Sequence, residues 1–171
     1  MELTQFTQAH FPILTSWFPT EAALIQWGGP KLIHPLDDAQ MNAMLDEAKS
    51  VPPTRQCWMV LDENSLVGHA QLRFDWKNGN ARLGRAAVAP ALRGQKLAVP
   101  MLTLVIAEAF RHPQIMRLEL NVYPFNRPAI QTYLRLGFLV EGTQQSNVAV
   151  GSERWDTTMM AILRSEYKPY A

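Results

Sequence analysis

The segment ALRGQKLAVPML, residues 91–102, places basic side chains and a glycine directly before an apolar run of helical length. The first backbone N–H groups of a helix have no partner inside the helix, and the helix dipole makes that end partly positive. Arg93 can add a charge-assisted hydrogen bond to an anion, and Gly94 lets the backbone turn or approach closely. Pro100 fits only the first helical turn, so the helix begins just after the basic residues. The spacing indicates a site for phosphate oxygens.

The segment by itself leaves a second interpretation open. A surface loop that carries one or two basic residues is common and needs no ligand. The segment has too few glycines for a P-loop or a dinucleotide-binding turn, so these two kinds of phosphate site are excluded.

The composition is that of an ordinary globular chain. Of 171 residues, 47% are apolar and 18% are charged, and a formal net charge of +1 gives no general reason to expect nucleic acid or a membrane surface as a partner. The one cysteine, Cys57, cannot form an internal disulfide, and without a cysteine or histidine cluster no thiolate-rich metal site is expected. The N-terminus lacks a signal-peptide pattern and no apolar stretch would span a bilayer, so we expect a cytoplasmic protein.

The N-terminal third, residues 1–53, has the pattern of short helices. Thr20 precedes EAALIQW and is predicted to be an N-cap. Asp37 precedes a second helical segment, and Gln40, three residues on, gives a capping-box pattern.

The pattern then changes to that of strands. Residues 66–74, LVGHAQLRF, alternate with period 2, and KNGN at 77–80 contains the Asn-Gly pair of a hairpin. Together with CWMVL at 57–61 and ARLGRAAVAP at 81–90, they predict an antiparallel meander of three strands.

The second half alternates helices and strands. Leu97–Arg111 is apolar nearly all round and predicts a buried helix. Ile115–Val122 alternates cleanly, which puts Met116 on the same side as Leu118. A short helix and two final strands around Gly151 follow. The order of elements predicts a mixed α/β (α+β) fold with one strand–helix–strand crossover at its centre.

Residues 88–98, VAPALRGQKLA, resemble the acetyl-CoA signature of the GNAT superfamily of N-acetyltransferases. The usual signature is Gln/Arg-x-x-Gly-x-Gly/Ala after a strand that ends in Val-x-Pro. Arg93 and Ala98 match its outer positions, and Val88 and Pro90 match the strand end. Lys96 replaces the central glycine, and its side chain either crowds a pyrophosphate or points outward and adds charge.

A second segment at 117–143 is similar to the family's other hallmark, a strand followed by Asn-x-x-Ala-Ile-x-x-Tyr and Leu-Gly-Phe. The matching residues are Asn126, Ala129, Ile130, Tyr133, Leu136, Gly137 and Phe138. Two motifs in this order are more specific than either alone. The resemblance covers residues 57–163 as a cofactor-binding core, leaves residues 1–53 as a variable substrate region, and implies one domain over residues 1–171. It also implies a largely antiparallel sheet with helices on both faces.

The resemblance implies acetyl-CoA as a co-substrate and no metal. Acetyl-CoA would lie in a V-shaped opening between the meander's last strand and the next, parallel strand, where an amine attacks the thioester directly. The implied contacts are Ala86, Ala87 and Val88 for the pantetheine, and Arg93, Gly94, Gln95, Lys96, Leu97 and Ala98 for the pyrophosphate. Asn126, which has the place of a helix N-cap, could also touch the cofactor.

Tyr133 is the implied acid, because tyrosine recurs at this position of the family as the proton donor to the departing thiolate. The spacing alone favours a core residue that packs beside Ile130 and Leu134. No carboxylate stands at the places where many relatives carry a base. Asn121 could order a water that takes the proton, and Glu119 could act itself or only pair across the sheet.

The acceptor implied by the resemblance is a small primary amine such as an amino acid. A protein N-terminal acetyltransferase and a non-catalytic acyl-CoA-binding module are the alternatives, and a homodimer is common in the family.

Among strand residues, Arg73, Arg82 and Arg85 either bind a substrate carboxylate or are solvated, and His69 is a base or a structural residue. The aromatic side chains of Trp17, Phe18 and Trp27 either line an acceptor pocket or belong to the core.

Overall fold

Seven strands and five α-helices make up residues 1–169, which the computed structural model describes. The strands are β1 (Glu2–Gln5), β2 (Arg55–Asp62), β3 (Ser65–Asp75), β4 (Asn80–Val88), β5 (Arg117–Val122), β6 (Leu139–Val150) and β7 (Glu153–Leu163). The helices are α1 (Phe11–Ser16), α2 (Glu21–Gly28), α3 (Asp38–Glu47), α4 (Ala98–Arg111) and α5 (Arg127–Arg135). The sheet order is β1-β2-β3-β4-β5-β7-β6, and only the β4–β5 pair is parallel. The predicted meander, crossover and largely antiparallel sheet are therefore confirmed.

The prediction that the N-terminal region contains only helices was wrong, because β1 precedes them. It pairs antiparallel with β2, from Glu2 opposite Leu61 to Gln5 opposite Trp58. Four residues are too few to show a convincing period-2 pattern, and an open strand edge supplies the hydrogen bonds that stabilise such a segment.

The predicted helix caps are present, with one difference. The Thr20 hydroxyl accepts a hydrogen bond from the Ala23 N–H at 3.2 Å, and the Asp37 carboxylate accepts one from the Gln40 N–H at 2.9 Å. The Gln40 side chain does not complete a capping box, because its amide instead bonds to both backbone groups of Ile33. That pair of bonds ties the loop before α3 to the helix.

The sheet is buried on both faces in its central strands. Helices α4 and α5 cover one face and α1, α2 and α3 the other. Adjacent residues of β2 show the alternation, since Met59 and Val60 are both fully buried but lie in different hydrophobic cores. A one-residue slip would exchange the two faces, so the two cores fix the register. None of the helices in residues 1–169 has the length and hydropathy to cross a membrane; the cytoplasmic location stays a prediction.

Strand β5 begins later than the alternation predicts. The predicted placement of Met116 beside Leu118 was wrong: Met116 is exposed, while Ile115 and Leu118 are fully buried. Ile115 lies in the turn that follows α4, where its N–H bonds to the His112 carbonyl, so the pleat of β5 does not yet determine its direction.

The two parallel strands separate after a short paired stretch. Strand β4 pairs with β5 only over Asn80–Arg82, opposite Arg117–Glu119. Beyond this point β4 stays on β3 as far as Val88, and β5 stays on β7 as far as Val122. A gap therefore opens in the middle of the sheet, as the family resemblance implies.

His69 is a structural residue at the centre of β3. It is fully buried, its ring meets the Phe6 ring edge-on at 4.8 Å, and its Nε2 lies 3.0 Å from the Gln71 amide nitrogen. Burial, with a smaller contribution from the positive charge of Arg85, lowers the pKa of His69 to about 3. The imidazole is neutral at ordinary pH, and its burial argues against a role as a catalytic base.

This burial predicts acid sensitivity. Unfolded His69 takes up a proton below its ordinary pKa of 6.5, whereas the folded residue resists protonation until about pH 3, so stability falls as pH falls between these values. Linkage gives a loss of about 2 kcal/mol from this residue between pH 7 and pH 5, measurable as the change in free energy of unfolding in urea.

The comparison is between His69→Gln and a control, His34→Gln, at an exposed histidine. In His69→Gln the decrease in free energy of unfolding from pH 7 to pH 5 should be smaller by the contribution of His69, whatever the stability of the variant at pH 7. The control should show the same decrease as wild type. An equal loss of stability from pH 7 to pH 5 in wild type and His69→Gln would contradict the assignment.

Candidate active site

The loop between β4 and α4 presents two residues in left-handed backbone conformation. A 3-10 turn over Pro90–Leu92 follows the strand, and Gly94 then has φ +82° and Lys96 φ +62°. All four residues from Arg93 to Lys96 are exposed. Leu97 is the N-cap of α4 and supplies no side-chain cap, so the first N–H groups of a 14-residue helix point to the loop without a side-chain partner.

The conformation of Lys96 explains why the family signature carries glycine at this position. Left-handed backbone is favourable for glycine and costs a residue with a side chain about 1 kcal/mol. Lys96 adopts this conformation nonetheless. The backbone thus follows the path that a glycine would favour, and the side chain extends into solvent.

The groups at this helix end fit a pyrophosphate. Within residues 1–169, neither Arg93 nor Lys96 makes an ion pair, so both cations remain available to an anion. A Cβ added to Gly94 would meet no atom within 4 Å, which leaves space beside the backbone. Helix amides, two cations and open space are the components of a phosphate site.

The end of β4 provides the second part of the candidate cofactor site. Ala86, Ala87 and Val88 are half-buried and lie beyond the last residue of β4 that pairs with β5. The backbone edge that faces the gap therefore lacks a strand neighbour there. An extended chain that carries amides can bind such an edge as an added strand does.

A β-bulge shapes β4 between these parts. His69 of β3 pairs with Ala87 whereas Gln71 pairs with Gly84, so β4 contains an extra residue in this interval. Arg85 lies in the bulge with φ +50°, and the Trp27 indole donates a 2.7 Å hydrogen bond to its carbonyl. Bulges bend a strand and re-aim a side chain, and here the re-aimed side chain is that of Arg85.

A cavity of about 340 Å³ lies where β4 and β5 separate. Its walls come from the end of α2 and the loop after it, from β2, β3 and β4, from the end of β5, and from the β6–β7 hairpin. The polar and charged side chains in the lining are Gln26, Lys31, Arg55, Gln71, Arg73, Arg82, Arg85, Asn121, Tyr123, Asn147 and Thr157.

The two candidate bases lie in different surroundings. Asn121 is exposed on β5 and lines the cavity. Glu119 does not line it: its carboxylate accepts a 2.9 Å hydrogen bond from Arg82 Nε and lies 3.3 Å from Arg117 Nε. Both carboxylate oxygens of Glu119 are therefore engaged by guanidinium groups.

Tyr133 lies on α5 and not in the cavity lining. It is half-buried against the core that α4 also covers, and its ring meets the Phe138 ring at 5.8 Å. Its hydroxyl makes no hydrogen bond within residues 1–169, and burial raises its pKa to about 12. Asn126 caps the same helix, its side chain accepting a 3.4 Å bond from the Ala129 N–H.

The sequence interpretation missed Tyr123 as a cavity residue. Its side chain is buried, its hydroxyl donates to the Ile25 carbonyl at 3.4 Å, and its ring stacks on Phe125 at 5.6 Å. Tyr123 comes directly after β5, which ends at Val122, so strand alternation gave no signal for it. For Asn147 and Thr157, which come from the distant last hairpin, no local signal exists.

The N-terminal aromatic residues divide between the two roles left open for them. Trp17 and Phe18 are buried in the core formed with α1, α2 and α3. Trp27 belongs to the same core but also lines the cavity, and its ring stacks on Phe18 at 4.4 Å. The N-terminal region therefore contributes a wall of the cavity.

Comparison with known proteins gives relatives in sequence and in fold. The uncharacterized N-acetyltransferase YokL, derived from the SPbeta prophage of Bacillus subtilis strain 168, is 27% identical over 110 residues, which are 64% of this chain and 62% of that protein. The match thus spans less than two thirds of the relative's length.

Solved structures of similar fold include the spermidine N-acetyltransferase of Vibrio cholerae in complex with CoA and spermine. Its TM-score is 0.82 at 16% identity, over 97% of this chain and 96% of that one. A single-residue variant of the spermidine N-acetyltransferase SpeG of Vibrio cholerae has a TM-score of 0.83 at 17% identity. The match covers 98% of this chain and 97% of that one. At this identity the likeness shows the fold.

The sequence profile of the acetyltransferase (GNAT) family matches residues 19–138, which is more than half of the chain. This range includes the motif residues of both segments, 88–98 and 126–138. The loop before α4, the bulged β4 and the separation of β4 from β5 all lie within that range. The chain therefore belongs to the acetyltransferase (GNAT) family.

Proposed function

We propose that the protein is an N-acetyltransferase that moves an acetyl group from acetyl-CoA to the primary amine of a small molecule, such as an amino acid. The observation that carries this proposal is the gap between β4 and β5. At the gap, the cavity is lined by Leu83–Arg85 and Asn121–Tyr123. Farther along, β4 leads through a loop to the backbone amides at the start of α4. An amine and a thioester can therefore approach each other from opposite sides.

The chain's own groups would hold the co-substrate. Ala86, Ala87 and Val88 offer backbone hydrogen bonds to the pantetheine amides, and the segment Arg93–Ala98 offers helix amides and two cations to the pyrophosphate. Asn126, the cap of α5, would add a contact to the cofactor. When bound, acetyl-CoA supplies the thioester carbonyl that an amine attacks and the thiolate that leaves.

Positioning by the cavity walls would supply much of the rate, because it converts an encounter in solution into a reaction between oriented groups. A backbone N–H at the gap would polarise the carbonyl. The raised pKa of Tyr133 keeps its hydroxyl protonated at neutral pH, so it can donate a hydrogen bond to the departing sulfur. Asn121 would order the water that removes the amine proton, and we place it ahead of Glu119 because Glu119 is ion-paired.

The first test is stabilisation by acetyl-CoA together with release of free CoA. At 100 times its dissociation constant the ligand should stabilise the fold by about 2.7 kcal/mol, a rise of roughly 5–10 °C in the unfolding midpoint for a chain of this size. CoA release would then be followed with free amines and with N-terminal peptides. No shift at millimolar acetyl-CoA would refute the cofactor site, and a shift without turnover of any amine or peptide would indicate a binding module.

Lys96 provides a test of the loop. Lys96→Gly and Lys96→Ala both remove the charge, but only glycine relieves the left-handed backbone, so the glycine variant should be more stable than the alanine variant by about 1 kcal/mol. Both should bind acetyl-CoA more weakly than wild type if the ammonium contacts the pyrophosphate. Urea unfolding and titration with acetyl-CoA measure the two effects separately. Equal stability of the two variants would contradict the assigned conformation.

Tyr133→Phe tests the proton donor. The variant should lower kcat about 100-fold and leave the Kd for acetyl-CoA unchanged, because only the hydroxyl is removed. The control is Tyr167→Phe, which removes a hydroxyl from a ring stacked on Phe110 away from the cavity. The wild-type pH profile should show no falling limb from Tyr133 below about pH 11, given the pKa of about 12. An unchanged kcat in Tyr133→Phe would refute the role.

A further inference from the structure

The cavity at the β4–β5 gap is strongly basic. Every side chain in its lining that is charged at neutral pH is a cation, and no carboxylate of residues 1–169 lines it. The cations are Lys31, Arg55, Arg73, Arg82 and Arg85. The whole chain is nearly neutral, so this concentration of positive charge is a local property of the cavity.

Three of these cations already have carboxylate partners outside the cavity lining. Glu47 lies 3.1 Å from Arg55 and 3.4 Å from Arg73, measured between oxygen and nitrogen. Glu119 pairs with Arg82. These pairs neutralise much of the charge at the rim and hold those guanidinium groups in place.

Arg85 has no such partner. Within residues 1–169 its guanidinium makes no ion pair, and its one polar contact is a long 3.4 Å hydrogen bond to the Gln71 side-chain oxygen. That oxygen already accepts a 2.7 Å bond from Arg55. The Trp27 ring also lies beside Arg85, with its centroid 6.0 Å from the guanidinium carbon.

The surroundings of Arg85 are unfavourable for a cation without a counterion. Burial lowers its pKa to about 10, and the charge of Arg55 contributes to the decrease. The residue remains charged at neutral pH, and a half-buried charge without a partner is costly. A bound anion would relieve this cost. The strained backbone of the bulge, with φ +50° at Arg85, places the cation in the cavity wall at the gap.

We infer that the acceptor is an amine that also carries a carboxylate, and that Arg85 binds this carboxylate so that the amine faces the gap between β4 and β5. The inference rests on the proposed acetyl transfer and specifies its substrate class. A guanidinium and a carboxylate form two parallel hydrogen bonds, which fix orientation as well as position. Gln71, Asn147 and Thr157 supply neutral polar groups around the same space. A volume of about 340 Å³ lies at the small end of the range for ligand cavities, which suits a small acceptor.

The same cavity disfavours polyamines. The similar solved structures are of spermidine N-acetyltransferases, but a polyamine would bring ammonium groups against Lys31 and Arg85 with no carboxylate of residues 1–169 in the lining to receive them. Like charges in a partly desolvated site repel each other. The fold is shared with those enzymes, whereas the charge of this cavity selects a different acceptor.

The test uses matched acceptors that differ in the anionic group. Each amino acid of a standard set is compared with its amide, glycine is compared with aminomethylphosphonate, and spermidine is included. We measure CoA release with acetyl-CoA and, independently of turnover, the thermal stabilisation that each acceptor adds in the presence of CoA. Each carboxylate acceptor should have a kcat/KM about 10- to 100-fold higher than that of its amide. The thermal stabilisation should indicate an apparent affinity that is higher by the same factor.

Arg85→Gln should remove that preference. It should raise KM for the carboxylate acceptor by about 10- to 100-fold, leave the amide nearly unaffected and keep the stabilisation by acetyl-CoA. Arg85→Lys, which keeps the charge but not the fork of donors, should be intermediate and covers the case that the glutamine variant folds poorly. Arg111→Gln is the control for loss of one positive charge, since Arg111 pairs with Glu108 and lies outside this cavity.

The outcomes separate this inference from the proposed function. Loss of acetyl-CoA stabilisation in wild type would refute the proposed function. Intact stabilisation with a preference for spermidine, for amides or for the phosphonate, or with no acceptor stabilising the CoA complex, would overturn the carboxylate assignment alone. An unchanged preference in a folded Arg85→Gln variant would overturn the role of Arg85.

Discussion

The separation of β4 from β5 is the constraint on which the rest of the site depends. Two parallel strands that remained paired would satisfy each other's backbone groups along their length, and no edge would be left for a ligand. Here only Asn80–Arg82 are paired with β5, and the strands are then drawn apart by their other neighbours, β3 and β7. The two hydrophobic cores hold those neighbours in register, so the gap is maintained by packing far from the ligands it is proposed to receive.

The separation also determines the role of each charged residue near it. Arg82 and Glu119 lie opposite each other on the last paired rung, so their side chains bond to each other at the closed end of the gap. Arg85, three residues farther along β4, lies where β5 no longer follows, and within residues 1–169 it makes no ion pair. Both arginines line the cavity, but of the two only Arg82 has a paired residue opposite it on β5. The sequence interpretation could not separate them, since both read as polar residues of the same strand.

Local signals were sufficient for most of the fold. The caps Thr20 and Asp37, the Asn-Gly hairpin and the apolar run of α4 each act within a few residues, and each was predicted correctly. The wrong predictions concern segments whose structure depends on tertiary contacts. Strand β1 forms because β2 offers an edge to pair with. Ile115 is buried because its direction is determined by a turn and not by a strand pleat. The motifs located the candidate site on the chain. The cavity lining did not follow from them, because α2 and the β6–β7 hairpin reach it from distant parts of the sequence.

The bulge in β4 links the two halves of the proposed active site through one backbone feature. The extra residue turns Arg85 into the cavity, and it also shifts the register so that Ala87 and Val88 pair with His69 and Gly68 on the way to the α4 loop. Removal of the bulge would therefore disturb the acceptor side and the cofactor side together. The Trp27 indole, which is fixed in the N-terminal core, donates a hydrogen bond to the Arg85 carbonyl and so holds the bulge from the N-terminal region. Through this contact the packing of the N-terminal helices bears directly on the position of Arg85.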